Sequence, residues 1–249
     1  MKRFEGKSVL VTGGNSGIGL ATAQGFADEG ARVVITGRDQ ATLDAARSKL
    51  GHAPLILRND AGEPDAARAL ADSIAKAGIK LDAVFINAGI AKMAPFDTID
   101  AAFWDQTFNV NVKGAYFAIQ ALLPMLNQGA SIVLNGSINA HIGMPNTSVY
   151  AASKAALISL AKTLSAELID RGIRVNVVSP GPVTTPLYGR LGIPADQLPA
   201  VAASIQAQVP LKRFGTPEEV ASAVLYLCSN GASFIVGTEL IMDGGMSQL

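Results

Sequence analysis

The stretch Thr12-Gly13-Gly14-Asn15-Ser16-Gly17-Ile18-Gly19 constrains this chain more than any other feature. It follows a short apolar run, Lys7 to Thr12, and opens a helical pattern that continues to roughly Glu29. A strand that feeds a helix through a glycine turn is the opening of a βαβ unit, and such units build parallel sheets. Gly13 can turn sharply, Gly17 can let backbone approach a pyrophosphate, and Gly19 can permit close helix packing. Amides exposed at the helix start would stabilise phosphate charge, with Asn15, Ser16 and Ile18 completing the loop. A purely structural turn is the alternative. A kinase-type phosphate loop is poorer, because no Gly-Lys-Ser or Gly-Lys-Thr follows.

Strand and helix patterns alternate along the rest of the chain. Apolar runs at 32–36, 53–58, 81–86, 130–135, 173–178 and 238–242 read as further strands. Helical patterns fall near 40–50, 63–77, 100–128 and 147–171, with another from 217. The expectation is an α/β, single-domain Rossmann fold over residues 1–249, its seven-stranded parallel sheet flanked by helices on both faces. With 49% hydrophobic but only 6% aromatic residues, the core is expected to be aliphatic. Residues 186–210, rich in proline and alanine, break the rhythm and read as a loop with one or two short helices that covers a site.

Twenty Lys plus Arg balance twenty Asp plus Glu, so no global field draws the chain to nucleic acid or an acidic membrane. The single cysteine, Cys228, cannot form an intrachain disulfide and lies in an apolar run that favours packing. The N-terminus lacks a signal-peptide pattern, and charges or glycines interrupt every long apolar stretch. A soluble, cytoplasmic setting is expected.

Two further places suit a nucleotide. The second strand ends Ile35-Thr36-Gly37-Arg38-Asp39. An acid at that tip would bind ribose hydroxyls, whereas a cation would accept a 2′-phosphate. Gly37 removes bulk and Arg38 offers a planar donor head, which favours NADP(H). The competing readings are a solvated Arg38 and an Asp39 that reaches back to the ribose. Asp60, with Ala61 beside it, follows the third strand and could meet adenine or simply lie on the surface. Asn87-Ala88-Gly89 follows the fourth strand, where small residues would let backbone pass close to a cofactor or merely form a turn.

Downstream lie Gly136-Ser137 and Tyr150-Ala151-Ala152-Ser153-Lys154. Tyr150 and Lys154 are one helical turn apart and share a helix face. Reducing a ketone needs hydride at carbon and a proton at oxygen. A tyrosine hydroxyl can give that proton, a lysine cation beside it favours the phenolate, and Ser137 can polarise the carbonyl. Asn111, inside Phe108-Asn109-Val110-Asn111-Val112, is poorly explained by helix propensity. Its side chain or a locally altered backbone could hold a water leading to Lys154, the alternative being a satisfied polar helix residue. Expected substrate contacts are Ser137, Asn139, His141, Met144, Tyr150, Leu187 and Tyr188, a mixture suited to a modest apolar carbonyl compound. His52 and His141 lack a ligand pattern, so no catalytic metal is expected.

Taken together these motifs resemble the short-chain dehydrogenase/reductase family in its single-domain form, over nearly the entire chain. The resemblance implies that Asn111, Ser137, Tyr150 and Lys154 form its catalytic tetrad. Tyr150 would be the acid in reduction and the base in oxidation, and Lys154 would bind the nicotinamide ribose and lower the Tyr150 pKa. Pro180-Gly181 matches the turn beside nicotinamide, and Val183-Thr184 would approach the carboxamide and phosphates. Within the family the pattern is similar to bacterial NADPH-dependent alcohol dehydrogenases and carbonyl reductases of broad scope. It implies a homotetramer acting on a small carbonyl or alcohol, with alanine-rich faces around 115–125 and 155–168 available either for subunit packing or for the sheet. The alternatives are an NAD-dependent sugar or polyol dehydrogenase, a 3-oxoacyl thioester reductase and a dinucleotide-binding regulator without turnover. A methyltransferase would share the sheet but would not account for Tyr150 and Lys154.

Overall fold

Strands from distant parts of the chain line up because each is apolar on both faces and needs helices above and below. The computed structural model describes residues 2–51, 53–186, 196 and 198–249. In chain order the elements are β1 (Ser8–Val11), α1 (Gly17–Asp28), β2 (Arg32–Gly37), α2 (Gln40–Leu50), β3 (Leu55–Arg58), α3 (Ala66–Lys76), β4 (Leu81–Ile86) and α4 (Ala101–Phe108). There follow α5 (Gly114–Leu122), β5 (Leu126–Asn135), α6 (Ser148–Leu168), β6 (Arg174–Pro180), α7 (Leu198–Gln208), α8 (Pro217–Cys228) and β7 (Glu239–Met242). The sheet runs β3-β2-β1-β4-β5-β6-β7, and every neighbouring pair is parallel.

Alternation along each strand divides the core in two. Leu10, Val34, Val84, Ile132 and Leu134 join Leu70, Ile119, Leu122, Leu157 and Ala161 from α3, α5 and α6. Val9, Val11, Ile35, Phe85 and Val133 face the other way, onto Phe26, Leu43, Val220 and Val224 from α1, α2 and α8. The alanine-rich faces of α5 and α6 therefore bury against the sheet, with Ala115, Ala118 and Ala161 all in the first cluster. Trp104, Tyr116 and Phe117, on α4 and α5, stay exposed.

The strand order reverses direction between β1 and β4, and the crevice at their C-terminal ends is where ligands of such sheets bind. The helix expected over 100–128 is not continuous. It widens into a π turn at Asn109–Lys113 between α4 and α5. It then closes in a 3-10 turn, Leu123–Met125, because Pro124 cannot donate to a continuing helix. β5 consequently begins at Leu126, earlier than the alternation suggested. Among the described residues no helix is long and apolar enough to cross a membrane.

Candidate active site

The glycine loop folds as a tight cradle. Gly13 and Gly17 have φ of +62° and +51°, backbone that favours glycine. A Cβ on Gly19 would strike the Gly13 carbonyl and lie 2.5 Å from Asn87 Nδ2, and one on Gly37 would lie 2.8 Å from Asn15 Cγ. Asn87 ties this cradle to β4: Nδ2 donates to the carbonyls of Thr12 at 2.9 Å and Gly13 at 3.1 Å. Thr12 Oγ1 accepts from the amides of Asn87 and Ala88. The adjacent groove encloses about 1360 Å3 including its open mouth, and is lined by Gly13, the loop from Asn15 to Gly19, Gly37, Arg38, Asp60, Ala61, Asn87, Ala88 and Gly89. Gly19→Ala is expected to abolish detectable dinucleotide binding, because the Gly13 carbonyl is backbone and cannot give way. Titration of the folded variant checks this, and wild-type affinity would contradict it.

The groove also includes residues that sequence reasoning missed: Thr42, Ile90, Val110, Asn135, Thr185 and Pro186. Asn135 Nδ2 donates to Asn87 Oδ1 at 3.0 Å, while its own Oδ1 is buried with no hydrogen-bond partner. Val183 and Thr184, expected beside the cofactor, are backbone-paired with the segment around Gly215. Val183 bridges to Gly215, and the Thr184 amide donates to the Gly215 carbonyl at 3.0 Å. It is Thr185 and Pro186 that face the glycine loop, with Thr185 Cβ 3.4 Å from where a Gly17 Cβ would sit. Gly181, at the end of β6, packs so closely on Asp243 that a Cβ would come within 2.6 Å of it.

At the tip of β2, Arg38 is exposed, and among the described residues its guanidinium has no hydrogen-bond or ion-pair partner. Asp39 also lines the groove. It caps α2, its Oδ1 accepting from the Thr42 amide at 2.8 Å, and the Thr42 bonds together with Arg58 hold the carboxyl below the usual range. Asp60 Oδ1 accepts from the Gly62 amide at 3.1 Å, a local turn that leaves its second oxygen at the groove.

The chemical residues converge where β4, β5 and α6 meet. Ser137 leaves β5 with extended backbone, and its hydroxyl accepts from the Asn139 amide at 3.2 Å. Burial pushes the Tyr150 phenol above its ordinary value, and the neighbouring Ser137 hydroxyl offsets only part of that. Lys154 is 4% exposed. Its Nζ donates to the Asn135 carbonyl at 2.6 Å and lies 5.7 Å from the centre of the Tyr150 ring. Burial lowers the Lys154 pKa to about 8. Desolvation thus outweighs the lowering by Ser137 at the phenol, whereas the resemblance implied a phenol lowered by Lys154.

Asn111 sits in the π turn, 1% exposed. Oδ1 accepts from the Ile90 amide at 2.8 Å, and Nδ2 donates to the Ile90 carbonyl and to Ser153 Oγ. Its amide is fully engaged in joining the Asn87-Ala88-Gly89 turn to α6, so a water would have to use the widened backbone instead. Gly89 lies between them, a Cβ there falling 3.3 Å from Asn111 Oδ1 and 3.6 Å from Lys154 Nζ.

On the substrate side, His141 Nε2 lies 2.7 Å from Glu239 Oε1 of β7. Asn139 Nδ2 lies 3.9 Å from Met144 Sδ, keeping these two together beside Ser137. Leu187 and Tyr188, like His52, are outside the described residues. Among the described residues no group of His, Cys, Asp or Glu is placed to hold a metal.

A family model described as Enoyl-(Acyl carrier protein) reductase matches residues 13–247. A solved short chain dehydrogenase from Burkholderia cenocepacia, in complex with NADP, is 35% identical with a TM-score of 0.87 over 98% of this chain and 99% of its own. The chain belongs to the short-chain dehydrogenase/reductase family. Another relative, the cis-4-hydroxycyclohexanecarboxylate dehydrogenase of Sinomonas cyclohexanicum, is 39% identical over 97% of each chain. A 3-ketoacyl-(acyl-carrier-protein) reductase from Brucella melitensis, solved with NADH, is 31% identical with a TM-score of 0.87 over 98% of this chain and 99% of its own. As a short-chain dehydrogenase/reductase this protein is an NAD(P)-dependent oxidoreductase of small carbonyl or alcohol compounds. The site fits a dinucleotide: the cradle admits no side chain at Gly19, and Asn135 Oδ1 is a buried acceptor awaiting a donor.

Proposed function

We propose that this short-chain dehydrogenase/reductase uses NADPH to reduce a small ketone or aldehyde to an alcohol, reversibly, with Tyr150 as the general acid and base. The observation that carries this is the meeting of Tyr150, Ser137 and Lys154 beside a groove lined at the β2 tip by Arg38, whose guanidinium has no partner among the described residues. NADPH bound in that groove supplies the hydride. Tyr150, kept protonated by its buried setting, gives the proton to the carbonyl oxygen, and Ser137 holds that oxygen by hydrogen bonding as charge develops. Lys154 has two further donors besides the one given to Asn135, which suit ribose hydroxyls. Asn111 fixes the turn that brings Gly89 against Lys154, and its widened backbone would seat the water that returns a proton from solvent.

Support for NADPH over NADH comes from the β2 tip. The acid there, Asp39, caps α2 through one oxygen, whereas the Arg38 guanidinium, without a partner among the described residues, would meet a 2′-phosphate. Arg38→Ala is expected to raise the NADPH KM by about tenfold and leave the NADH KM little changed, as loss of one charge-assisted contact implies. Equal KM changes for both cofactors would contradict the assignment. The exposed Trp104, Tyr116 and Phe117 would be the faces through which copies pack into the expected homotetramer. A paired NADPH and NADH oxidation assay over aliphatic ketones, aryl ketones, β-keto esters, 3-oxoacyl thioesters and sugars tests the reading. It predicts the fastest substrate-dependent loss of NADPH with small ketones. Turnover confined to sugars with NAD, or to acyl thioesters, would replace it.

A further inference from the structure

The tip of β3 carries a second cation beside the first. Gly37 and Arg58 are partners in the register of β2 and β3, so the side chain of Arg58 leaves the sheet on the face that Gly37 would use. That face is the one turned to the glycine loop, because a Cβ on Gly37 would run into Asn15. Arg58 Nε donates to the Arg38 carbonyl at 3.1 Å, which fixes the guanidinium against the β2 tip. Among the described residues its terminal amino groups have no hydrogen-bond or ion-pair partner, although Asp39 lies close enough to feel its charge. Asp39 is not available as a full counter-ion, because its carboxylate caps α2 through the Thr42 amide. Among the described residues, two arginine heads with unused donors therefore flank the β2 tip, where Gly37 lets Asn15 pack close to the backbone.

We propose that Arg58 is a specificity-determining residue of this enzyme, its guanidinium contacting the cofactor's 2′-phosphate jointly with Arg38 and offsetting the repulsion of Asp39. The proposal rests on NADPH being the preferred cofactor. A phosphate monoester carries close to two charges near neutrality and presents three acceptor oxygens, more than a single guanidinium can satisfy. Arg38 presents one donor fork, and Arg58, anchored through Nε, keeps its terminal amino groups for the remaining oxygens. The ribose of NADH carries a neutral hydroxyl there and gains nothing comparable from a second cation.

Equilibrium titration of the full-length enzyme with NADPH, with NADH and with the fragment adenosine 2′,5′-bisphosphate tests this without relying on turnover. Arg58→Ala is expected to raise the dissociation constants of NADPH and of the fragment by about tenfold and that of NADH by less than about twofold. Arg58→Lys should recover part of the loss, since it keeps the charge but not the fork. The decisive arm is Arg58→Ala made in the Arg38→Ala background. A further loss of NADPH affinity there supports direct contact. No further loss means that Arg58 only positions Arg38, and this overturns the proposal, as would unchanged NADPH binding or equal losses for NADPH and NADH in the single variant. If Arg38→Ala alone fails to shift cofactor choice, the preference for NADPH itself is wrong. If Arg38→Ala shifts it and Arg58→Ala does not, only the role of Arg58 falls.

Discussion

Tyr150→Phe is expected to lower kcat for ketone reduction by roughly a hundredfold to ten-thousandfold while leaving NADPH affinity within about twofold, the range typical for loss of a positioned acid. The substitution removes one oxygen and keeps the ring that packs between Ser137 and Lys154. Among the described residues, neither neighbour of Tyr150 replaces the lost proton donor. Ser137 is a far weaker acid, and Lys154 is directed at the Asn135 carbonyl. Steady-state kinetics with parallel cofactor titration checks this. A variant that keeps its turnover would remove Tyr150 from the chemistry, and one that loses cofactor binding together with turnover would make its role structural.

Lys154→Met should lower kcat/KM by roughly a hundredfold or more and should also remove a pH inflection. Burial lowers the Lys154 pKa to about 8, so the cation is complete below that pH and is lost as pH rises through it. The Tyr150 phenol, shifted upward, stays protonated over the same interval. Reduction in the wild type is therefore expected to be level on the acid side of about pH 8 and to fall above it. Methionine is nearly isosteric with the lysine stem but carries neither charge nor donor, so the profile of the variant should be flat through that interval. A rate that rises through this range, or an inflection that survives in Lys154→Met, would contradict the assignment. In the oxidative direction Tyr150 must lose its proton first, and the raised phenol pKa places the best rate at more alkaline pH than for reduction.

The fold was readable because apolar strands and helical periods alternate without long interruption, and a parallel sheet is the arrangement that covers both faces of such strands. The pair proposed as catalytic was legible for a local reason: a spacing of four on one helix fixes the relative placement of Tyr150 and Lys154 before any tertiary contact is known. What escaped were features set by contacts between distant segments. The ion pair of His141 is one of them, since its partner Glu239 is 98 positions away. Asn135 and Arg58 carry no motif, and their positions emerge only when β5 meets β4 and β3 meets β2. The π turn at Asn111 left just a trace, an asparagine-rich segment ill suited to a regular helix. Some missed details did have a local signal. Asp39 followed three residues later by Thr42 at the start of a helical run is an ordinary N-cap pattern.

The central claim is hydride transfer to a carbonyl in the groove, with the proton from Tyr150. It is tested most directly by single-turnover reduction of a small ketone with NADPH that carries deuterium on its nicotinamide. The account predicts that the label appears at the carbinol carbon of the alcohol at a rate that Tyr150→Phe slows at least a hundredfold or so. Bound NADPH that passes no deuterium to any ketone, aldehyde, acyl thioester or sugar would contradict it.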